Sequence, residues 1–113
     1  MYIYVDDVRE PSRMKYAAEA IVARNYEQAI KLIDECMSRN EMIYLDLDHD
    51  LGEVKSGYDI AKYIVEKQYM QCVFNVHSFN PVGTRNIIEL VKHYGYECFR
   101  DILGSNPFTE EDG

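Results

Sequence analysis

Asp46, Asp48, His49 and Asp50 crowd into the run from Leu45 to Gly52, which is otherwise apolar and stops at a glycine. Ile43, Leu45 and Leu47 mark one side of a buried strand. Ionisable groups at the end of such a strand are costly to desolvate unless a metal, a partner or a ligand compensates. Two other apolar runs end the same way: Tyr2 to Val5 is followed by Asp6 and Asp7, and the run from Cys72 leads into His77, Ser78 and Asn80. Several carboxylates at adjacent strand ends suit a hard divalent cation such as Mg2+, which prefers oxygen ligands. Two histidines that titrate near neutrality could act as acid and base across a phosphate, or each could be a satisfied structural residue. Arg9 and the N-terminus of a helix after Asn80 would supply positive potential to an anion, and Arg85 could reach in from that helix. Asp46 shares the face of Asp48 but lies deeper, so a structural hydrogen bond and a ligand role are both open. Tyr58 could stack on a base or pack, and His93 reads as a residue offsetting the dipole at a helix end.

The elements that must position these residues follow from pattern and punctuation. Tyr2 to Val5 reads as the first strand. A turn or two of helix is expected over Arg13 to Ala18 and a second strand over Ala20 to Arg24, although Met14 to Ala23 could also be one helix by propensity. Asn25, with Gln28 three residues on, has the form of a capping box. The helix it starts should run to about Met37, because Tyr26, Ala29, Ile30, Ile33, Cys36 and Met37 share one face. Ile43 to Asp48 is the third strand, and Gly52 to Lys55 is a loop. Ser56 with Asp59 starts the next helix, which carries Ile60, Ala61, Ile64 and Val65 inward. Cys72 to Ser78 is the fourth strand. Asn80 and Pro81 are N-cap and first-turn signals for a helix to about Tyr94, closed by Gly95, and Tyr96 to Arg100 forms a short last strand. Strands alternating with helices imply a mostly parallel sheet of four to five strands, with helices on both faces. Asp6, Asp7, Asp48, His49, Asp50, His77, Ser78 and Asn80 would then converge at one edge, where open α/β sheets bind ligands.

The length of 113 residues fits one domain, expected over residues 1–103, with an acidic tail at 104–113 that carries Glu110, Glu111 and Asp112. The formal net charge of -8 argues against a face for duplex nucleic acid, because such a face must neutralise many phosphates. A small phosphorylated or nucleotide ligand, bound locally through a metal or a few placed cations, remains compatible. Cys36, Cys72 and Cys98 are odd in number and form no CxxC pair, so they read as buried thiols in a reducing cytosol. No targeting segment is recognisable and no apolar run approaches ~18 residues, so the expectation is a cytoplasmic protein without a membrane span. The sequence carries no signal of oligomeric state.

With an acidic pair after strand one (Asp6, Asp7), an aspartate after strand three (Asp48), Gly57 further on and a hydroxyl after strand four (Ser78), the chain resembles the receiver domains of response regulators. The resemblance implies a flavodoxin-like α/β fold, with Mg2+ beside a phosphoryl-accepting aspartate. The chain departs from receivers in a short or missing first helix, in lacking a lysine followed by proline after the last strand, and in placing two histidines at the site. Those departures resemble a narrower family, the cyclic-phosphate-processing receiver-like domains. The shared pattern is Asp6-Asp7-Val8-Arg9-Glu10-Pro11, Leu47-Asp48-His49-Asp50-Leu51-Gly52, Ser56-Gly57-Tyr58-Asp59 and His77-Ser78-Phe79-Asn80-Pro81-Val82-Gly83 with Asn86. The resemblance implies a metal-dependent phosphoesterase, a hydrolase acting on a cyclic phosphate in a nucleotide or a nucleotide-derived compound. Asp6, Asp7 and Asp48 would hold Mg2+ or Mn2+, and Asp50 would add a ligand or orient His49. His49 and His77 would move protons, while Arg9, Ser78 and Asn80 would bind the phosphate. Two alternatives stay open: a non-catalytic binding module, either a degenerate signalling receiver or a protein that sequesters a cyclic nucleotide, and a carboxylate cluster that serves stability alone.

Overall fold

The computed structural model describes residues 1–11 and 19–98. Along the chain these form β1 (Tyr2–Val5), β2 (Ile21–Ala23), α1 (Tyr26–Ser38), β3 (Ile43–Leu47), α2 (Gly57–Lys67), β4 (Cys72–Val76) and α3 (Pro81–His93). The strands make one sheet in the order β2-β1-β3-β4, and every pairing is parallel. The carboxyl ends of β1, β3 and β4 therefore share one edge. The strand at Ile21–Ala23 rules out a single helix through residue 23. The helical turn expected over 13–18, and the tail from 104, lie outside the described residues. Of the last strand, a single parallel bridge from Cys98 to Phe74 is present, and positions 99 and 100 also lie outside the described residues.

Alternation along the strands divides the sheet into two faces. Ile3 and Val5, Leu45 and Leu47, and Phe74 and Val76 are fully buried, and they join the inward residues of α1, α2 and α3 in one core cluster. On the opposite face Tyr4 is buried among Ala20, Val22, Tyr44 and Val73. All three described helices thus cover the same face of the sheet. No described helix is long and apolar enough to cross a membrane.

The helix starts hold the loops that lead into the site. Asn25 caps α1 by accepting the Gln28 N–H at 2.9 Å, while the Gln28 side chain accepts from Arg24 N–H at 2.8 Å. Asp59 returns to the Ser56 N–H at 2.8 Å, closing the capping box of α2. Asn80 caps α3 through the Gly83 N–H at 2.9 Å, with Pro81 in the first turn.

Two glycines bind the loop after β3 to its surroundings. Gly52 turns with φ +68°, and a Cβ there would lie 2.8 Å from Asp7 Oδ2. Gly57 donates its N–H to the His49 carbonyl at 2.8 Å, and a Cβ at Gly57 would overlap the carbonyl oxygen of Asp48. The obstacle is backbone, so no side-chain rotation relieves it. Gly57→Ala is expected to destabilise the fold by about 1–3 kcal/mol, the usual cost of overpacking. Urea unfolding checks this, and an unchanged midpoint would contradict the packing described.

Candidate functional site

The parallel register stacks two rows of polar residues on one face of the sheet. Tyr4 pairs with Asp46, and Asp46 pairs with Asn75, across β1, β3 and β4. One pleat further on come Asp6, Asp48 and His77. The ladder still fixes their backbones: Asp6 N–H donates to Ala23 O at 3.1 Å, Asp48 N–H to Val5 O at 3.0 Å, and His77 N–H to Leu47 O at 3.0 Å. The two rows are two residues apart because side chains repeat on a face with that period.

Asp6 is fully buried and held by several donors. Its Oδ1 accepts the N–H groups of Val8 at 3.0 Å and Arg9 at 2.8 Å, and its Oδ2 accepts Arg9 Nε at 2.8 Å. His77 Nε2 also reaches that oxygen, at 3.0 Å. Burial works to raise the Asp6 pKa, but the bonds from Arg9, Val8 and His77 outweigh it and hold the group below its ordinary value. Asp48 is the opposite case. Burial and the neighbouring Asp6 charge push its pKa up, against the pull of His77 and Arg9. Arg9 Nη2 stands 3.5 Å from Asp48 Oδ2, so one guanidinium spans both carboxylates while its Cζ lies 4.8 Å from the centre of the exposed Phe79 ring.

His77 has both ring nitrogens engaged, Nε2 with Asp6 and Nδ1 with Asp46 at 2.5 Å. Burial would lower its pKa, but the bond and the charge of Asp46, followed by Asp6 and Asp48, raise it. Beneath it Tyr4 is pushed up to about 12 by burial and by the charges of Asp6 and Asp46. One ligand atom from each of Asp6, Asp48 and His77 lies within 4.8 Å of the others. Two carboxylate oxygens and an imidazole nitrogen at that spacing fit a small divalent cation.

A second group forms around His49, which does not join the first. Its Nδ1 lies 2.9 Å from Asp50 Oδ1, and Asn80 Nδ2 stands 3.5 Å from both. The bond to His49 lowers the pKa of Asp50. The imidazole rests on Gly83 so closely that a Cβ there would overlap the ring. His49 also opens on a groove of about 760 Å³ that includes Tyr58, Asn86, Glu89 and His93.

The expected residues therefore divide. Asp6, Asp48, His77 and Arg9 come together, and His49, Asp50 and Asn80 form a neighbouring set. Asp7 is half-buried against Gly52 and does not join the Asp6, Asp48 and His77 group, and Ser78 accepts the Asn80 N–H at 3.1 Å. Arg85 is exposed on α3. Sequence reading missed Arg24, whose Nη1 donates to the carbonyls of Asp6 at 3.1 Å and Arg9 at 2.7 Å and whose Nη2 pairs with Glu10. Nothing in its local sequence marks that role. Asn75 was missed as well, although its place two residues before His77 puts it on the same face.

A family model described as a cyclic-phosphate processing receiver domain matches residues 1–93. No curated protein and no solved structure matches the chain.

The opposite pKa directions of Asp6 and Asp48 carry opposite signs for stability. Asp6, depressed in the fold, contributes stability above its unfolded pKa that is lost as pH falls through the folded one. Asp48, raised in the fold, contributes stability below its unfolded pKa that is lost as pH rises through the folded one, so at neutral pH its charge opposes folding. In metal-free protein at neutral pH, Asp6→Asn is expected to lose about 1.5–3 kcal/mol of stability. Asp48→Asn is expected to gain about 0.5–2 kcal/mol, as relief of a functional charge often does. Chemical denaturation of both variants checks the pair, and equal losses would contradict the assignment.

Proposed function

The chain belongs to the cyclic-phosphate processing receiver family, and on that premise we propose that it is a metal-dependent phosphoesterase that opens the cyclic phosphate of a nucleotide or nucleotide-derived compound. The observation that carries the reading is the convergence of Asp6, Asp48 and His77 within 4.8 Å, with the Arg9 guanidinium spanning the two carboxylates. Asp6, Asp48 and His77 would hold the cation. A divalent metal there would supply Lewis-acid polarisation of the phosphoryl group.

The remaining chemistry falls to the chain's own side chains. Arg9 is anchored through Nε on Asp6 and faces Asp48 through Nη2, but it is partly exposed, so its remaining N–H groups could grip phosphate oxygens. His77 is committed at both nitrogens and is poorly suited to carry protons. His49 is better placed for proton transfer, because Asp50 engages Nδ1 and leaves Nε2 for a proton to or from the substrate. Asn80 Nδ2, close to both His49 and Asp50, keeps that pair in register with the start of α3. In the net reaction water adds to phosphorus, one ring P–O bond breaks, and the departing oxygen takes the proton to leave a phosphomonoester. The engagement of both His77 nitrogens also favours a second reading, a binding module that holds a cyclic nucleotide without cutting it.

Incubation with 2',3'-cyclic AMP or 3',5'-cyclic AMP and Mn2+, followed by 31P NMR, tests the proposal. The expected result is ring opening that a chelator stops. His49→Ala should lower kcat by about 10²–10⁴-fold, the usual worth of a general acid or base. Gly83→Ala, which crowds the His49 ring, should also slow turnover. Stoichiometric binding with the ligand recovered intact would support the binding module, and neither turnover nor binding of either probe would sink both readings.

A further inference from the structure

Asp46 shares a face of β3 with Asp48 but lies one pleat deeper and is 4% exposed. A carboxylate in that position is costly unless donors satisfy it. Asn75, its register partner on β4, donates from Nδ2 to Asp46 Oδ1 at 3.1 Å. His77 Nδ1 reaches the same oxygen at 2.5 Å. On the other side Tyr4, the register partner on β1, stacks on the His77 ring with centroids 4.5 Å apart and planes 4° from parallel. The imidazole is thus clamped on its face by Tyr4 and at its inner nitrogen by Asp46.

Donation of the Nδ1 proton to Asp46 leaves Nε2 as the nitrogen turned toward Asp6 and Asp48. It stands 3.0 Å from Asp6 Oδ2. Two ligands about 2.1 Å from one ion and at right angles to each other are themselves about 3.0 Å apart, so the spacing suits a shared cation as well as a shared proton. Metal-binding histidines almost always donate their other N–H to a carboxylate or carbonyl, which sets the tautomer and the ring orientation.

We propose that Asp46 is a positioning residue that presents His77 Nε2 as the nitrogen ligand of the divalent cation. The inference rests on the metal-dependent reading above and assigns a role to a carboxylate that the proposed chemistry leaves unused. It also narrows the metal. An imidazole beside two carboxylates ranks a first-row transition ion above Mg2+, which prefers oxygen ligands throughout, and Mn2+ is the paramagnetic probe of that class.

The test is calorimetric titration of the full chain with Mn2+, paired with pulsed EPR of the loaded protein to detect coupling to an imidazole 14N. Wild type should bind and show the coupling. Asp46→Leu should weaken binding by about 10–100-fold and lose the coupling, while Asp46→Asn, which keeps an acceptor oxygen, should lose less affinity and keep it. Should Asp46→Leu fail to fold, Asp46→Asn carries the comparison, and an affinity equal to wild type overturns the proposal. Wild-type binding without 14N coupling, or a folded Asp46→Leu with unchanged affinity and coupling, overturns it and leaves the metal-dependent reading intact. Wild type that binds no divalent ion overturns both.

Discussion

Parallel pairing of β1, β3 and β4 is the constraint on which the candidate site depends. It levels Tyr4, Asp46 and Asn75 in one row and sets Asp6, Asp48 and His77 one pleat above them. The same alternation sends Ile3, Val5, Leu45, Leu47, Phe74 and Val76 into the core beneath the helices. Each strand therefore buries apolar side chains on one face while it aligns ionisable ones on the other. A shift of one residue in any pairing would exchange the two sets.

Three buried carboxylates on one face repel each other, and the surrounding structure is arranged to offset that. Asp6 is held by backbone N–H groups, Arg9 and His77, and Asp46 by Asn75 and His77. Asp48 is the least compensated of the three, with Arg9 Nη2 at 3.5 Å and a pKa raised by burial and by Asp6. An under-compensated carboxylate between a fixed carboxylate and a fixed imidazole is where an added cation would gain most. The His49 group, by contrast, is set by close backbone approach: Gly57 brings α2 onto the chain at Asp48, and Gly83 brings α3 beneath the imidazole.

Much of this was legible in the sequence because strand ends and helix caps have short-range signals. The Asn25, Ser56 and Asn80 starts, the four strands and the gathering of Asp6, Asp48 and His77 followed from period and punctuation. Asp7 and Ser78 follow Asp6 and His77 in sequence, beyond the ends of β1 and β4. Ladder bonds from the Asp6 and His77 N–H groups continue the strand alternation by one residue and carry those two side chains onto the face of Asp48. The partner of Asp46 was not legible, since Asn75 is distant in sequence and meets it only through the β3–β4 register. Arg24 is a comparable case: its hold on the loop from Asp6 to Glu10 depends on the β1–β2 pairing. The two histidines looked like one acid–base pair because both follow strands, but their partners differ, Asp46 and Asp6 for one and Asp50 for the other.

On the proposed reading the two rows build a cation site from Asp6, Asp48 and His77. The most direct measurement is a crystal structure of Mn2+-soaked protein with an anomalous difference map recorded for manganese. The predicted result is a peak about 2.2 Å from a carboxylate oxygen of Asp6, one of Asp48 and His77 Nε2. A Mn2+ ion bound instead by Asp7 and Asp50, or no peak beside Asp48 in protein saturated with the ion, would contradict it.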